Sequence, residues 1–346
     1  MNNFAAVGLA GAAGLAVTAG LGFAMIPWLR KLKFGQTILD IGPKWHKSKQ
    51  GTPTMGGLMF IIGTVAAIAV TVITDKLTGG DIVASGSLVP SEMYTRLWSG
   101  LVMALSFGLI GFADDYIKIV RGRNLGLTIK QKTAAQLLVC VAYLTGLYMS
   151  MDGVPYMFVP FVGMVEIGFF HWIFGIVIIY ASVNAVNFTD GVDGLCSSVT
   201  VTAAVSLGVI AALKGFFGFS MAAAALAGAC VGFFFWNKNP AKVFMGDTGS
   251  MFLGGMVVAL AYALGCPLIL LLAGVVYVIE GVSDVLQIVY YRVTGGKRIF
   301  KMAPIHHHFE LCGWSEKKIV AVFSAVNALG GVAAVAIMYY GGYIVK

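Results

Sequence analysis

The sequence predicts an all-α polytopic membrane protein with about ten transmembrane helices and both termini on the outer side. Three observations carry this. Of 346 residues, 59% are hydrophobic and only 11% charged, against about 25% charged in an average soluble protein. Apolar stretches near 20 residues, the length needed to cross the hydrocarbon core, recur along the chain. The basic residues gather in alternate loops. A soluble globule, a disordered chain and a secreted disulfide scaffold are excluded. The five cysteines (140, 196, 230, 266 and 312) form no CxxC pair, so neither a disulfide framework nor a zinc cluster is expected.

Ten stretches qualify as spans: 5–29, 54–74, 97–117, 133–150, 167–186, 195–213, 216–236, 248–265, 267–291 and 318–341. The first lacks a basic leader and reads as a spanning helix instead of a cleaved signal. The eighth and ninth meet at Gly265-Cys266-Pro267, where Pro ends one helix and opens the next. Loops 30–53, 118–132, 187–194, 237–247 and 292–318 hold 19 of the 23 Lys and Arg, leaving Lys76, Arg96, Lys214 and Lys346 for the other side. The positive-inside rule makes the first set cytoplasmic and turns both termini outward. No soluble domain is apparent, so 1–346 reads as one integral membrane domain whose chemistry sits at the inner face. The net charge of +8 then reflects loops beside anionic lipid or a phosphorylated substrate, with no nucleic acid among the partners.

Carboxylates are scarce enough to take singly. Asp114 and Asp115 close the third span in GFADDY. Adjacent on a helix, they point about 100° apart, so one can take a proton or metal while the other holds a cation. Asp190 and Asp193 lie in NFTDGVDG, where Gly191 and Gly194 allow close backbone approach to a ligand; an Asx-turn is the alternative. Asp247 opens the eighth span in MGDTGS, suited to a hard cation or to helix capping. Phe244 either stacks on a nucleobase or packs against lipid. Glu280 and Asp284, i and i+4 with Gln287 on the same face, read as a polar seam between helices.

His306, His307 and His308 in APIHHHFE are the most unusual feature. Consecutive His rarely converge on one metal and no HExxH is present, so phosphate oxygens suit them better. Lys47 and Lys49 precede GTPTMGG, and Lys130 and Lys132 open the fourth span. Each pair offers charge to phosphates, or simply obeys the positive-inside rule. Without a Walker A, GxGxxG or nucleophile-elbow motif, ATP-driven pumping and serine hydrolysis have no support. A secondary transporter would place its acids near the midplane of a repeat, whereas here only Glu280 lies deep.

GTPTMGG, ADDY, NFTDGVDGL, NPAKVFMGDTGS and KRIFKMAPIHHHFE together resemble the phospho-N-acetylmuramoyl-pentapeptide-transferase family, in family order from about residue 46 to 316. The resemblance implies transfer of phospho-MurNAc-pentapeptide from UDP-MurNAc-pentapeptide to undecaprenyl phosphate. The products would be lipid I and UMP, made with Mg²⁺ at the cytoplasmic face of a bacterial inner membrane. It implies a catalytic set of Asp114, Asp115, Asp247, Lys49, His306, His307 and His308, with Asp247 on the metal. Asn187, Asp190, Gly191, Asp193, Phe244 and Lys130 would bind substrate, Phe244 against the uracil. It also implies a homodimer in contact with membrane lipid. Within the superfamily, a UDP-GlcNAc:polyprenyl-phosphate GlcNAc-1-phosphate transferase would share the aspartates and is the alternative.

Overall fold

The protein is described by a computed structural model covering residues 1–32, 49, 51–122 and 125–344; Lys47 lies outside the described residues. Most of the described chain is helical. The order is α1 (Asn3–Lys31), α2 (Gly57–Leu77), α3 (Pro90–Val120), α4 (Ile129–Ser150), α5 (Phe170–Thr189), α6 (Leu195–Leu213), α7 (Phe217–Asn237), α8 (Gly246–Ala263), α9 (Leu270–Ala273), α10 (Val275–Val293), α11 (Ile305–Leu311) and α12 (Glu316–Tyr340). Eight of these are long and apolar enough to cross a membrane, nine if the bent α9–α10 pair is one span. Helix α8 is not among the eight because its first turn, Gly-Asp-Thr-Gly-Ser, is polar. The protein is a multi-pass, all-helical membrane protein.

Besides extending α3 from the expected 97–117 to Pro90–Val120, the structure departs from the sequence reading in three places. A short antiparallel hairpin, β1 (Tyr156–Val159) with β2 (Gly163–Glu166), occupies the loop between α4 and α5. The stretch 305–311, read as part of the loop 292–318, forms α11. The stretch 267–291, read as one helix, is broken by 89° between α9 and α10. The break leaves backbone groups that lipid cannot satisfy. Buried Asn327 of α12 serves them: its Oδ1 accepts from Val276 N at 3.2 Å and its Nδ2 donates to Ala273 O at 3.0 Å and Thr202 Oγ1 at 2.8 Å. Asn327→Leu strands these groups, and each buried orphan costs about 1–3 kcal/mol. A clear drop in the melting temperature of the detergent-solubilised variant is expected; an unchanged value would deny Asn327 this role.

Loops sort to two ends. At one, the amino terminus pairs with Asp75 at 3.1 Å, Phe158 N donates to Gly265 O, and Lys214 Nζ donates to Tyr343 O. Buried Arg96 pairs with Glu92 of its own helix (2.6 Å) and joins this end of α3 to α8 by donating to Ala263 O (3.0 Å). The opposite end carries the loops rich in Lys and Arg. There α8, buried along almost its whole length, packs against α3 and α5. Its N-terminus therefore lies among the C-terminal ends of its neighbours.

Candidate active site

Three carboxylates converge where α3 ends and α8 begins. A Cβ on Gly111 of α3 would collide with the Asp247 carbonyl, so glycine is what lets the two helices approach there. Gly246 turns the chain into α8 at φ +71°, a conformation that glycine adopts at no steric cost, and a Cβ there would meet Asp115. With the backbones this close, oxygens of Asp114, Asp115 and Asp247 lie within 4.8 Å of one another. Three hard oxygen donors at that spacing fit a divalent cation such as Mg²⁺.

Each carboxylate is held differently. Asp115 accepts from Thr248 N (2.9 Å) and Thr248 Oγ1 (2.7 Å). Asp114 accepts from Leu127 N at 2.8 Å and pairs with Lys118 at 2.6 Å. Asp247 accepts from Lys118 (3.1 Å), Lys132 (2.8 Å) and Asn187 Nδ2 (3.0 Å), and the last also donates to Ser250 Oγ at 2.7 Å. Its position in the first turn of α8 adds the favourable end of the helix dipole. Three anions thus face two ammoniums, leaving one net negative charge for a cation to neutralise.

Beside this cluster a second polar group locks the loops together. Lys49 pairs with Asp193 (2.7 Å) and with Glu316 (2.8 Å) at the start of α12. Burial opposes its charge, but the two carboxylates outweigh it and raise the ammonium above its ordinary range. The second oxygen of Asp193 accepts from Ala241 N at 3.0 Å and Asn239 Nδ2 at 3.3 Å. Asp190 sits between the two groups. Burial first, then the carboxylates of Asp247, Asp115 and Asp193, push its carboxyl well above the usual range, with Lys49 opposing.

This has a consequence for stability. Between the ordinary carboxylate value near 4 and its own raised value, the folded protein binds a proton at Asp190 that the unfolded chain has released. Stability therefore falls as pH rises through that window. Asp190→Asn cannot titrate and loses the slope. In Mg²⁺-free detergent, the melting temperature of the variant should exceed that of the unsubstituted protein by more at pH 8 than at pH 5; a pH-independent difference would contradict the reading.

The comparisons with known proteins bear on this geometry directly. A model described as glycosyl transferase family 4 matches residues 97–265, which hold all three aspartates, and a phospho-N-acetylmuramoyl-pentapeptide-transferase signature matches 49–61. The phospho-N-acetylmuramoyl-pentapeptide-transferase of Listeria monocytogenes (serovar 1/2a) is 41% identical over 91% of this chain and 93% of its own length. The enzyme of that name from Acetivibrio thermocellus is 44% identical over 89% and 88%. That from Bacillus thuringiensis is 41% identical over 91% and 95%. The chain belongs to the phospho-N-acetylmuramoyl-pentapeptide-transferase family.

Among the residues singled out in this family member's sequence, the structure brings Asp114, Asp115, Asp247 and Asn187 into one cluster. Asp190 and Asp193 do not share a helical face, because α5 stops at Thr189 and the turn to α6 is not helical; Asp193 goes to Lys49 and Asp190 to the aspartates. Phe244 is half-buried and anchored by its backbone, N to Pro53 O and O to Gly56 N. Lys130 is exposed, and it is Lys132 that reaches Asp247. A Thr128–Gln131 capping box sets the phase of α4, and residues two apart on a helix cannot share a face. The three histidines bond three different partners. His306 bonds Glu280 at 3.0 Å, His307 bonds Glu310 at 2.6 Å, and His308 accepts from Lys301 N at 3.1 Å. Gly191 lies against the His306 ring.

Sequence reasoning missed Lys118 and Glu316. Lys118 was legible: it falls four residues after Asp114 and three after Asp115, so once α3 extends to Val120 its side chain can reach either carboxylate. Glu316 meets Lys49 across 267 positions, and nothing local in the sequence announces it.

Proposed function

We propose that the protein transfers phospho-MurNAc-pentapeptide from UDP-MurNAc-pentapeptide to undecaprenyl phosphate, releasing UMP and leaving lipid I in the membrane. The observation that carries this is the Asp114–Asp115–Asp247 cluster with Lys118 and Lys132, within a chain that matches transferases of that name over nine-tenths of its length. Mg²⁺ bound by the three aspartates would neutralise the donor pyrophosphate. Lys118 and Lys132 stand beside it to screen phosphate oxygens, and Asn187 orients Asp247. The NFTDGVDG turn with Asn187, Asp190, Gly191 and Asp193 forms the uridine side of the pocket, with Phe244 against the base. His306, His307, His308 and Lys49 complete the site, and Lys130 meets substrate from solvent.

The transfer is direct. A phosphate monoester has a second pKa near 6, so the acceptor is already largely a dianion at pH 7 and needs little activation. An attacking carboxylate would bring a further anion onto an anionic pyrophosphate. The Asp115 oxygen toward α8 is taken by Thr248 N and Oγ1. We assign Asp114 the positioning or deprotonation of the acceptor. Labelled UMP incubated with enzyme, Mg²⁺ and UDP-donor, all lipid phosphate removed, should not enter the donor. Exchange at a rate comparable to turnover would establish an enzyme-bound phosphosugar.

We infer ten crossings, counting α8 and the bent α9–α10 pair, with both termini outside. The orientation rests on the sequence, in which 19 of the 23 Lys and Arg fall in the loops assigned to the aspartate side, read as facing a bacterial cytoplasm. A homodimer belongs to the same reading, by family resemblance. The test is UMP release by purified protein with polyprenyl phosphate, Mg²⁺ and either UDP-MurNAc-pentapeptide or UDP-GlcNAc. Release with the muramoyl donor alone is expected; preference for UDP-GlcNAc would overturn the substrate assignment.

A further inference from the structure

Glu280 has no part in the site described above, yet it is fully buried in a bundle where a buried carboxylate is costly and rarely idle. It stands on α10, just past the break. Its Oε2 lies 3.0 Å from Nδ1 of His306, which is equally buried. The other atom of each partner, Glu280 Oε1 and His306 Nε2, is buried without a hydrogen-bond partner. A Cβ added to Gly191 would land on His306 Nε2, so that nitrogen abuts the backbone of the Asp190–Asp193 turn. The same face of α10 clamps the segment leading into α11. Ser283 Oγ accepts from Ile305 N at 3.0 Å, and Gln287 accepts from Phe300 N at 3.1 Å and donates to Phe300 O at 2.9 Å. Residues 280, 283 and 287 follow the i, i+3, i+7 spacing of one helical stripe.

We propose that Glu280 is a positioning residue: its carboxylate accepts a hydrogen bond from His306 Nδ1–H, fixing the tautomer and ring plane so that Nε2 is presented to substrate at the Gly191 turn. A carboxylate that orients an imidazole through one nitrogen leaves the other free for the reaction. The unpartnered Nε2 is what such an arrangement leaves open, and a substrate oxygen or amide at the turn would complete it. Asp284, at i+4 on the same side of the helix but only half-buried, is outside this role. The proposal rests on the transferase reading for its functional half only.

Two measurements test it. In protein labelled with ¹⁵N-histidine, the His306 resonances, assigned by their loss in His306→Gln, should show a proton on Nδ1. An unprotonated Nδ1 in the unsubstituted protein overturns the proposal whether or not the enzyme transfers phosphosugar. In the UMP-release assay, Glu280→Met should lower kcat about a hundredfold with little change in donor KM, while Glu280→Gln, which keeps an acceptor, recovers most of it. Residues acting as a unit are not additive, so Glu280→Met added to His306→Gln should cost less than a further twofold. Independent, multiplying losses, or Glu280→Met that turns over normally, would refute the pairing. If the Met variant does not fold, Glu280→Gln and the ¹⁵N spectrum still decide.

Discussion

Asp247→Asn should lower transfer about a thousandfold while the protein still inserts and folds. The charge balance makes the two outcomes compatible. The cluster holds three carboxylates against Lys118 and Lys132, and the substitution takes its net charge from −1 to zero, so no buried repulsion is created. Side-chain hydrogen bonds to Asn187 and the lysines lose strength but keep an amide oxygen as acceptor. What disappears is the anionic excess that draws a hard dication. Losing well-placed electrostatic stabilisation of a phosphoryl transfer costs about 10²–10³ in kcat, and the displaced metal accounts for the upper end. UMP release and the melting temperature measured on one preparation check this. Near-normal turnover at ordinary Mg²⁺ would remove Asp247 from the metal site.

Lys118→Met is expected to act in the opposite sense on metal and in the same sense on catalysis. Its ammonium lies 2.6 Å from Asp114, 3.8 Å from Asp115 and 3.1 Å from Asp247, standing where a cation is wanted. Without it the cluster carries −2, which destabilises the metal-free protein and strengthens attraction for Mg²⁺. A ligand that binds the folded state raises its stability with the logarithm of its affinity at fixed concentration. The rise in melting temperature on adding Mg²⁺ should therefore be larger in Lys118→Met than in the unsubstituted protein, and absent in Asp247→Asn. Turnover should fall about a hundredfold, because the ammonium that screens phosphate oxygens is gone. A smaller Mg²⁺ shift in Lys118→Met would mean that the lysine does not compete for the site.

Much of this was legible in the sequence, for reasons that differ by element. The long helices follow from hydropathy, and α8 is legible to within two residues of its ends because the polar turn at Asp247 and Gly265 bracket a mainly apolar run over 251–264. The break before α10 was hidden because Leu268 to Ile279 is uniformly apolar, and the residue that makes it tolerable, Asn327, lies on another helix. Strands of four residues are too short for alternation to register, which concealed the hairpin. In the site, Asp114, Asp115 and Asp247 stood out because acids are rare in so apolar a chain. Choosing between Lys130 and Lys132 needed the helix phase, which a capping box two residues upstream sets. The Lys49–Asp193–Glu316 and Glu280–His306 pairings are tertiary, and no local pattern encodes them.

The claim that Asp114, Asp115 and Asp247 form the metal centre of the transfer is tested most directly with Mn²⁺, which shares the preference of Mg²⁺ for oxygen ligands and is visible by electron paramagnetic resonance. Titration of the purified protein should show one tightly bound Mn²⁺ per chain, with ³¹P hyperfine coupling once the UDP-donor is added, and both signals should vanish in Asp247→Asn. Full binding with unchanged ³¹P coupling in that variant would place the metal, and with it the reaction, somewhere else in the protein.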